Sequence, residues 1–311
     1  MLIKIIKNWD EPNIFRQTPA NNGKWNNCEF TTKDIEVDYV VVLNYIDDDI
    51  SVECPKNNIF VIMQEPYIKN TFDWMVEGHK QFSKVFTHHI FNSSSKYIES
   101  NPMLPWHVDK SYDELKTISL SDIKKEKGIS WITSTKSYFP GHKDRMSFLE
   151  TMKISELDIE LFGRGINEIG DKWDGLAPYK YSFAIENSSS KDYWTEKLAD
   201  CFLSYTMPIY YGCTNIDEYF PKDSMIKIDI SKPQEAIEII NTAINDNTWE
   251  KNIEAVKKAR ALVLNKYNFF NQICEICNSN SEIESKKENI TLKKYKRTLL
   301  RKIISRFKRI K

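Results

Sequence analysis

Eight short apolar runs rich in β-branched and aromatic residues limit what this chain can fold into. They are "YVVVLNYI" (39–46), "NIFVIMQ" (58–64), "FSKVFTHH" (82–89), "GISWITST" (128–135), "DIELFG" (158–163), "YKYSFAIE" (179–186), "MPIYYG" (207–212) and "SMIKIDI" (224–230). Several are apolar at consecutive positions, the pattern of strands buried on both faces of a parallel sheet. Helical spacing fills the gaps at 142–153, 192–205, 233–245 and 248–265. Strand and helix in alternation predict an α/β protein of two doubly wound domains. At 311 residues the chain is long enough for two such cores. The polar stretch "DKSYDELKTISLSDIKKEK" (109–127) supplies the boundary. It places an N-terminal domain over 1–118, a C-terminal domain over 119–275 and a basic tail over 276–311.

The charges are unevenly spread. Of 44 basic and 44 acidic residues, residues 286–311 hold 12 basic and one acidic (Glu288), a net of +11 against −11 for the rest. In "ITLKKYKRTLLRKIISRFKRIK", Leu292, Tyr295, Leu299, Ile303, Phe307 and Ile310 step by three or four, with Lys and Arg on the other face. That spacing predicts a basic amphipathic helix lying on an anionic membrane, contacting it through Leu299, Ile303, Phe307, Arg301 and Lys302. A helix packing on a partner is the alternative. A nucleic-acid arm is disfavoured by the acidic body and by the lack of a base-reading motif. The six cysteines are scattered and read as reduced thiols, and "CEIC" (274–277) has no second pair to complete a zinc site. The opening "MLIKIIKNWDEP" is too short and interrupted for a signal peptide or a span, and no later segment reaches the length of a span. The expectation is a cytoplasmic protein, peripheral on the inner face of the cell membrane.

The stretch "AIENSSSKDYWTEKLADCFLSY" (184–205) places an unusually long polar loop between a strand and a helix. Counted from Asp192, Trp194, Leu198, Cys201, Phe202 and Tyr205 share one helical face, while Tyr193, Glu196 and Lys197 group on another. A strand end, hydroxyl-bearing residues and a helix start bearing a lysine make a phosphate site. On chemistry alone, a capped helix with a surface Glu–Lys pair fits slightly better.

The wording of that region resembles glycosyltransferase family 10, the α-1,3-fucosyltransferases. "YKYSFAIENSSSKDYWTEKLADCFLSYTMPIYYG" is similar to the family's F-x-x-x-F-E-N-S, D/G-Y-x-T-E-K and x-P-I/V-x-x-G, and "NIDEYFPKDSMIKIDI" to its following segment. "SWITSTKSYFPGHKDRMSFLETM" resembles the strand, Ser-Asn loop and helix whose arginine binds the donor pyrophosphate, with Ser-Thr here in place of Ser-Asn. "FVIMQEPYIKN" resembles the strand end that carries the base, and "LFGRG" (161–165) a family turn.

The resemblance implies a GT-B fold of two facing Rossmann-like domains and inverting transfer of fucose from GDP-fucose to a hydroxyl of an acceptor glycan. Glu65 would be the catalytic base, taking the acceptor proton. Arg145, with Ser134 in its loop, and Lys197 would clamp the diphosphate. Glu196 would accept hydrogen bonds from ribose or sugar hydroxyls, and Asn187 and Tyr193 would line the donor pocket. Glu186 is a second-rank hydroxyl acceptor and Arg164 a second-rank phosphate ligand. No cofactor is expected to bind tightly. A divalent cation (Mn2+ or Mg2+) enters at most as a stimulant, because the cationic clamp makes a resident metal unnecessary. "DDD" (47–49) formally matches an Asp-x-Asp metal motif but reads as an acidic turn, and His88 and His89 face opposite ways on a strand.

The partners implied are a nucleotide sugar, an oligosaccharide or lipid-linked glycan, and an anionic membrane, without nucleic acid. Bacterial members often end in a similar tail. Acceptor recognition falls to loops such as 10–34 and 66–81, with Trp9, Trp25 and Trp74 able to stack on sugars or merely to pack. The alternatives are a same-fold transferase using another nucleotide sugar and a non-catalytic membrane-surface protein.

Overall fold

The computed structural model describes residues 1–280 and 286–297. The chain forms two compact units: Met1–Met103 with the described part of Phe269–Lys311, and Leu104–Asn268. In the first unit the strands are β1 (Leu2–Ile6), β2 (Lys24–Trp25), β3 (Cys28–Thr31), β4 (Tyr39–Leu43), β5 (Ile50–Cys54), β6 (Ile59–Ile62), β7 (Lys84–Thr87) and β8 (Tyr97–Glu99). The second unit contains α1 (Tyr112–Thr117), β9 (Lys127–Ile132), α2 (Pro140–Lys153), β10 (Ile159–Phe162), β11 (Tyr179–Ile185), α3 (Glu196–Leu203), β12 (Met207–Tyr211), β13 (Ile226–Lys227), α4 (Pro233–Asn245), α5 (Thr248–Lys251) and α6 (Ile253–Leu264). The chain then returns to the first unit as α7 (Phe269–Ser279) and β14 (Glu288–Leu292).

The first unit's main sheet has the order β2-β3-β1-β4-β6-β7-β8, parallel except for the β2–β3 pair. Its centre is the run predicted to be buried on both faces: Val40 to Leu43 and Ile59, Val61 and Ile62 have no exposure. Each such side chain contributes about 1.5–3 kcal/mol by leaving water. The second unit's sheet, β10-β9-β11-β12-β13, is parallel throughout. Trp131 of β9 stacks on Phe183 of β11 with ring centroids 4.7 Å apart, and Leu198 and Phe202 of α3 fill the same core. Each sheet starts in its middle, runs to one side, then crosses to the other. Such a reversal opens a crevice at the strands' carboxyl ends where α/β proteins bind ligands. It lies between β1 and β4 in the first unit and between β9 and β11 in the second.

The elements match the apolar runs closely, but the boundaries and the tail differ. Residue 118 does not divide the units. Helix α1 belongs to the second, where Leu115 is fully buried and the Arg260 guanidinium donates to the Leu115 and Ile118 carbonyls. Helix α7 belongs to the first, through Phe270 against Phe30 (centroids 4.7 Å) and the Asn271 side chain, which accepts from the Trp25 indole at 2.9 Å. Strands β1, β2, β3, β5, β8 and β14 lie outside the eight apolar runs.

Cys28 and Cys274 are joined by a disulfide, contrary to the expectation of six free thiols, while Cys54, Cys201, Cys213 and Cys277 are free and buried. The helix expected from Leu292 onward is not formed over 288–297. Glu288–Leu292 is instead a strand antiparallel to β5, with Leu292 opposite Ile50 and fully buried. Leu299, Arg301, Lys302, Ile303 and Phe307 lie outside the described residues. No helix among the described residues is long and apolar enough to cross a membrane.

Leu292→Ala should lower the free energy of unfolding by about 2–5 kcal/mol, read from the denaturant midpoint. On a surface helix the same substitution would stay within about 0.5 kcal/mol.

Candidate functional site

The second unit's crevice is built by three segments: the β9–α2 loop, the β11–α3 loop and the turn after β12. Glu186, directly after β11, is 1% exposed and anchors the arrangement. Its carboxylate accepts from the Thr195 backbone N–H at 2.7 Å, from the Thr195 hydroxyl at 2.8 Å and from the Lys197 ammonium at 3.3 Å. Thr195 is also the N-cap of α3, its hydroxyl accepting from the Lys197 N–H. The helix therefore begins at Glu196, not near Asp192. Tyr193 precedes it and is 2% exposed, on the buried side with Trp194 rather than rotated away from it. Gly212 after β12 leaves room for the acid, since a Cβ there would fall 2.4 Å from the Glu186 Cγ.

Lys197 reaches both neighbouring acids, Glu186 at 3.3 Å and Glu196 at 3.6 Å. Burial opposes its charge, but the two carboxylates outweigh burial and raise its pKa. Glu196 is ringed by Lys172 (3.6 Å), Lys197 (3.6 Å) and the His107 ring (3.9 Å). Burial alone would push its carboxyl up. Lys197, Lys172 and His107 together hold it well below the usual carboxylate range. Glu186 moves the other way, because its deeper burial prevails over the one cation beside it. Of the two acids, Glu196 is the one whose surroundings favour the ionised form.

Arg145 enters from α2, 5% exposed. Its guanidinium donates to the Ser134 carbonyl (3.1 Å), the Lys136 carbonyl (3.2 Å) and the Asn187 side-chain oxygen (3.2 Å). All three acceptors are neutral, and among the described residues no carboxylate pairs with it. Its Nε has no partner, and burial lowers its pKa. Gly141 permits the approach of α2 to the β11–α3 loop, because a Cβ there would sit 1.9 Å from the Asn187 carbonyl oxygen. Ser134 is half-buried and Arg164 exposed. The Arg164 turn adjoins the β9–α2 loop through the Thr135 N–H, which donates to the Arg164 carbonyl at 3.4 Å.

Ser134, Arg145, Asn187, Glu196 and Lys197 thus gather around one sheet edge, with Glu186 as their internal tie and Tyr193 packed beneath. The sequence reading missed several residues that complete the site. Lys172 and His107 flank Glu196, and the Asp200 carboxylate holds them through Lys172 (3.1 Å) and the His107 N–H (2.8 Å). Asp192 fastens the β11–α3 loop to Asn215 (2.8 Å) and Tyr219 (2.7 Å). His142, one turn before Arg145, is buried with its Nδ1 unpartnered. No local pattern marks the distant members. For Thr195 there was a signal, a threonine directly before Glu-Lys at the head of an apolar helix.

The first unit offers its own sheet edge. Glu65 is exposed and follows β6. Beside it Gln64 is buried, its N–H donating to the Asn44 side chain at 2.8 Å and its amide to the Met103 carbonyl at 3.2 Å. Tyr67 stacks on His89 with centroids 4.2 Å apart. Trp25 and Trp74 are packed, 8% and 7% exposed, while Lys7 sits over the Trp9 ring. Asp48 and Asp49 of "DDD" pair with Lys294 (3.6 Å) and Lys293 (2.9 Å). Among the described residues no three His, Cys, Asp or Glu side chains are grouped to hold a metal.

This fold is the GT-B fold of glycosyltransferases. The model of glycosyltransferase family 10 (fucosyltransferase), C-terminal region, matches residues 123–296, more than half the chain. The chain belongs to that family. It is similar to the 4-galactosyl-N-acetylglucosaminide 3-alpha-L-fucosyltransferase 9 of Mus musculus, 30% identical over 129 residues, 40% of this chain and 35% of that protein. The Homo sapiens protein of the same name matches with the same figures. The chain thus covers about a third of the length of these curated relatives. Among solved structures, an alpha1,3-fucosyltransferase with GDP-fucose aligns at TM-score 0.52 and 15% identity, over 91% of each chain. The enzyme with GDP aligns at 0.51 and 16%, over 87% of this chain and 92% of that one. At such identity these likenesses show the fold.

The ionisation of Glu196 predicts a pH dependence. Its depressed pKa stabilises the folded state fully above about 4.5, and that contribution is lost as pH falls through the lower folded value. Thermal unfolding of Glu196→Gln should therefore lie below wild type at neutral pH, with the curves converging under acid conditions. A gap that stays constant down to pH 3 would contradict the charge arrangement.

Proposed function

We propose that this protein transfers fucose from GDP-fucose to a hydroxyl of a glycan, with inversion at the sugar. One observation carries the reading: Arg145 is a buried cation bonded only to neutral oxygens. Burying an uncompensated charge costs several kcal/mol, and an anionic ligand at the same sheet edge removes that cost. Lys197, in the first turn of α3, adds a second positive charge. A diphosphate fits two such cations. Glu196 is ionised and accepts hydrogen bonds from donor hydroxyls, with Ser134 and Asn187 bordering the same edge.

In the reaction, the acceptor oxygen forms its bond to the sugar's anomeric carbon as the carbon–oxygen bond to the diphosphate breaks. Arg145 and Lys197 stabilise the charge that accumulates on the leaving GDP. A base receives the acceptor proton, and Glu65 is assigned that role on its resemblance and on its exposed place after β6. The relatives' name specifies a 4-galactosyl-N-acetylglucosaminide acceptor, which makes that disaccharide the first probe for this chain.

Location is part of the proposal. Residues 298–311 hold six basic and no acidic residues at amphipathic spacing, which suits attachment to the anionic inner face of a membrane and a lipid-linked acceptor.

Calorimetry tests the donor. Arg145→Ala and Lys197→Ala should each weaken GDP-fucose binding about tenfold or more, the worth of a hydrogen bond to a charged group. Glu65→Gln should leave donor binding intact and reduce GDP release with the disaccharide by ~10²–10⁴-fold. Saturable binding of a UDP- or TDP-sugar instead would change the donor, and failure of every nucleotide sugar to bind would remove the enzyme reading.

A further inference from the structure

The described part of the basic stretch is not a free polybasic arm. Strand β14 pairs with β5 along its length. The Lys287 ammonium lies 2.9 Å from Glu36 and 2.9 Å from Asp38. Gln81 clasps the Lys293 backbone from both sides, donating to its carbonyl at 2.9 Å and accepting from its N–H at 2.8 Å. The Tyr295 N–H donates to the Ile46 carbonyl at 2.8 Å, and its hydroxyl donates to Glu77 at 2.7 Å. Arg297 reaches furthest. Its Nε lies 3.0 Å from the Asp73 carboxylate, which is 1% exposed, and its Nη2 donates to the Thr71 carbonyl at 2.9 Å and more weakly to the Asn70 carbonyl at 3.4 Å. Asp73 in turn accepts from the Asn70 N–H at 3.1 Å.

The Gln81 clasp and the Tyr295 and Arg297 side chains converge on one segment, residues 70–81. Tyr295 and Arg297 grip the two ends of the turn from Asn70 to Glu77, and that turn continues the chain from Glu65, Pro66 and Tyr67. We propose that residues 286–297 are a strap that fixes the 66–81 loop, and that Arg297 is a positioning residue for the acceptor side of the reaction. Arg297 acts through Asp73 and the Asn70–Thr71 carbonyls. The planar guanidinium spans a carboxylate and a carbonyl at once, which an ammonium does less well. Without it the Asp73 carboxylate stays buried with its cation gone, and the turn rearranges to hydrate it. The consequence for turnover rests on the fucosyltransferase reading and on Glu65 as base; the fixing of the loop does not.

The test uses the full chain, with hydrogen exchange over 66–81 as the first readout and steady-state kinetics with GDP-fucose and free 4-galactosyl-N-acetylglucosamine as the second. Arg297→Gln should raise exchange across 70–77 by about tenfold or more, matching the loss of a charge-assisted hydrogen bond. It should raise the acceptor KM or lower kcat while leaving GDP-fucose affinity unchanged. Arg297→Lys should fall between, and truncation after Arg297 should change neither readout. Unchanged exchange in Arg297→Gln would overturn the strap. Faster exchange with unaltered acceptor kinetics would overturn the positioning role. A wild-type protein that neither binds GDP-fucose nor turns over would count against the functional reading alone, hydrogen exchange still deciding the strap.

Discussion

Glu186 meets three donors that all come from the opening of α3: the Thr195 N–H, the Thr195 hydroxyl and the Lys197 ammonium. A buried carboxylate without such partners would be costly enough to unfold the edge of the sheet. With them it becomes the joint between strand and helix, and it fixes where the helix starts. The start then determines which side chains face the crevice. Because Thr195 is the cap, Glu196 and Lys197 occupy the first turn, and Tyr193 and Trp194 turn into the core. Gly212 and Gly141 follow from the same joint, as the two places where a side chain would displace Glu186 or Asn187.

The two cations at this edge differ in their company, and that difference gives them different work. Lys197 sits between Glu186 and Glu196, so its charge is largely matched before any ligand arrives. Arg145 touches only carbonyl and amide oxygens. Arg145 is therefore the cation whose charge no carboxylate among the described residues matches, while Lys197 is held in place by the acids beside it. The Ser134 and Lys136 carbonyls meanwhile keep the guanidinium oriented. Glu196 remains ionised because Lys172 and His107 also face it, and Asp200 holds both of those in position.

Much of this was legible in the sequence, for identifiable reasons. Continuous apolar runs such as "YVVVL" and "FAI" have one stable use in a chain of this length, and the carboxyl ends of such strands collect polar loops. That pattern groups Asn187, Glu196 and Lys197 at one strand end, and the family resemblance adds Ser134 and Arg145. What could not be read depends on pairings over long separations. Cys28 and Cys274 are 246 residues apart and meet only because α7 returns to the first unit. Lys172 and His107 reach Glu196 from distant loops. Leu292 and Tyr295 are three apart, a spacing that suits a helix, yet five residues of β14 find an open edge on β5. Local periodicity yields when such an edge is available.

The sequence presents the acidic body and the basic stretch as an imbalance, yet among the described residues four of the six cations of that stretch face acids of the body. Lys287 faces Glu36 and Asp38, Lys293 and Lys294 face Asp49 and Asp48, and Arg297 faces Asp73. Two of the three aspartates of the acidic turn 47–49, Asp48 and Asp49, thus face lysines. Most of these pairs are exposed and individually weak, worth at most ~1 kcal/mol. The strap does not rest on them alone. Leu292 is in the core, Ile290 and Tyr295 pack against it, and the backbone pairs with β5. Charge selects where the segment lies, apolar burial supplies its hold, and the pair of half-buried Arg297 with buried Asp73 carries that hold into the loop that follows Glu65.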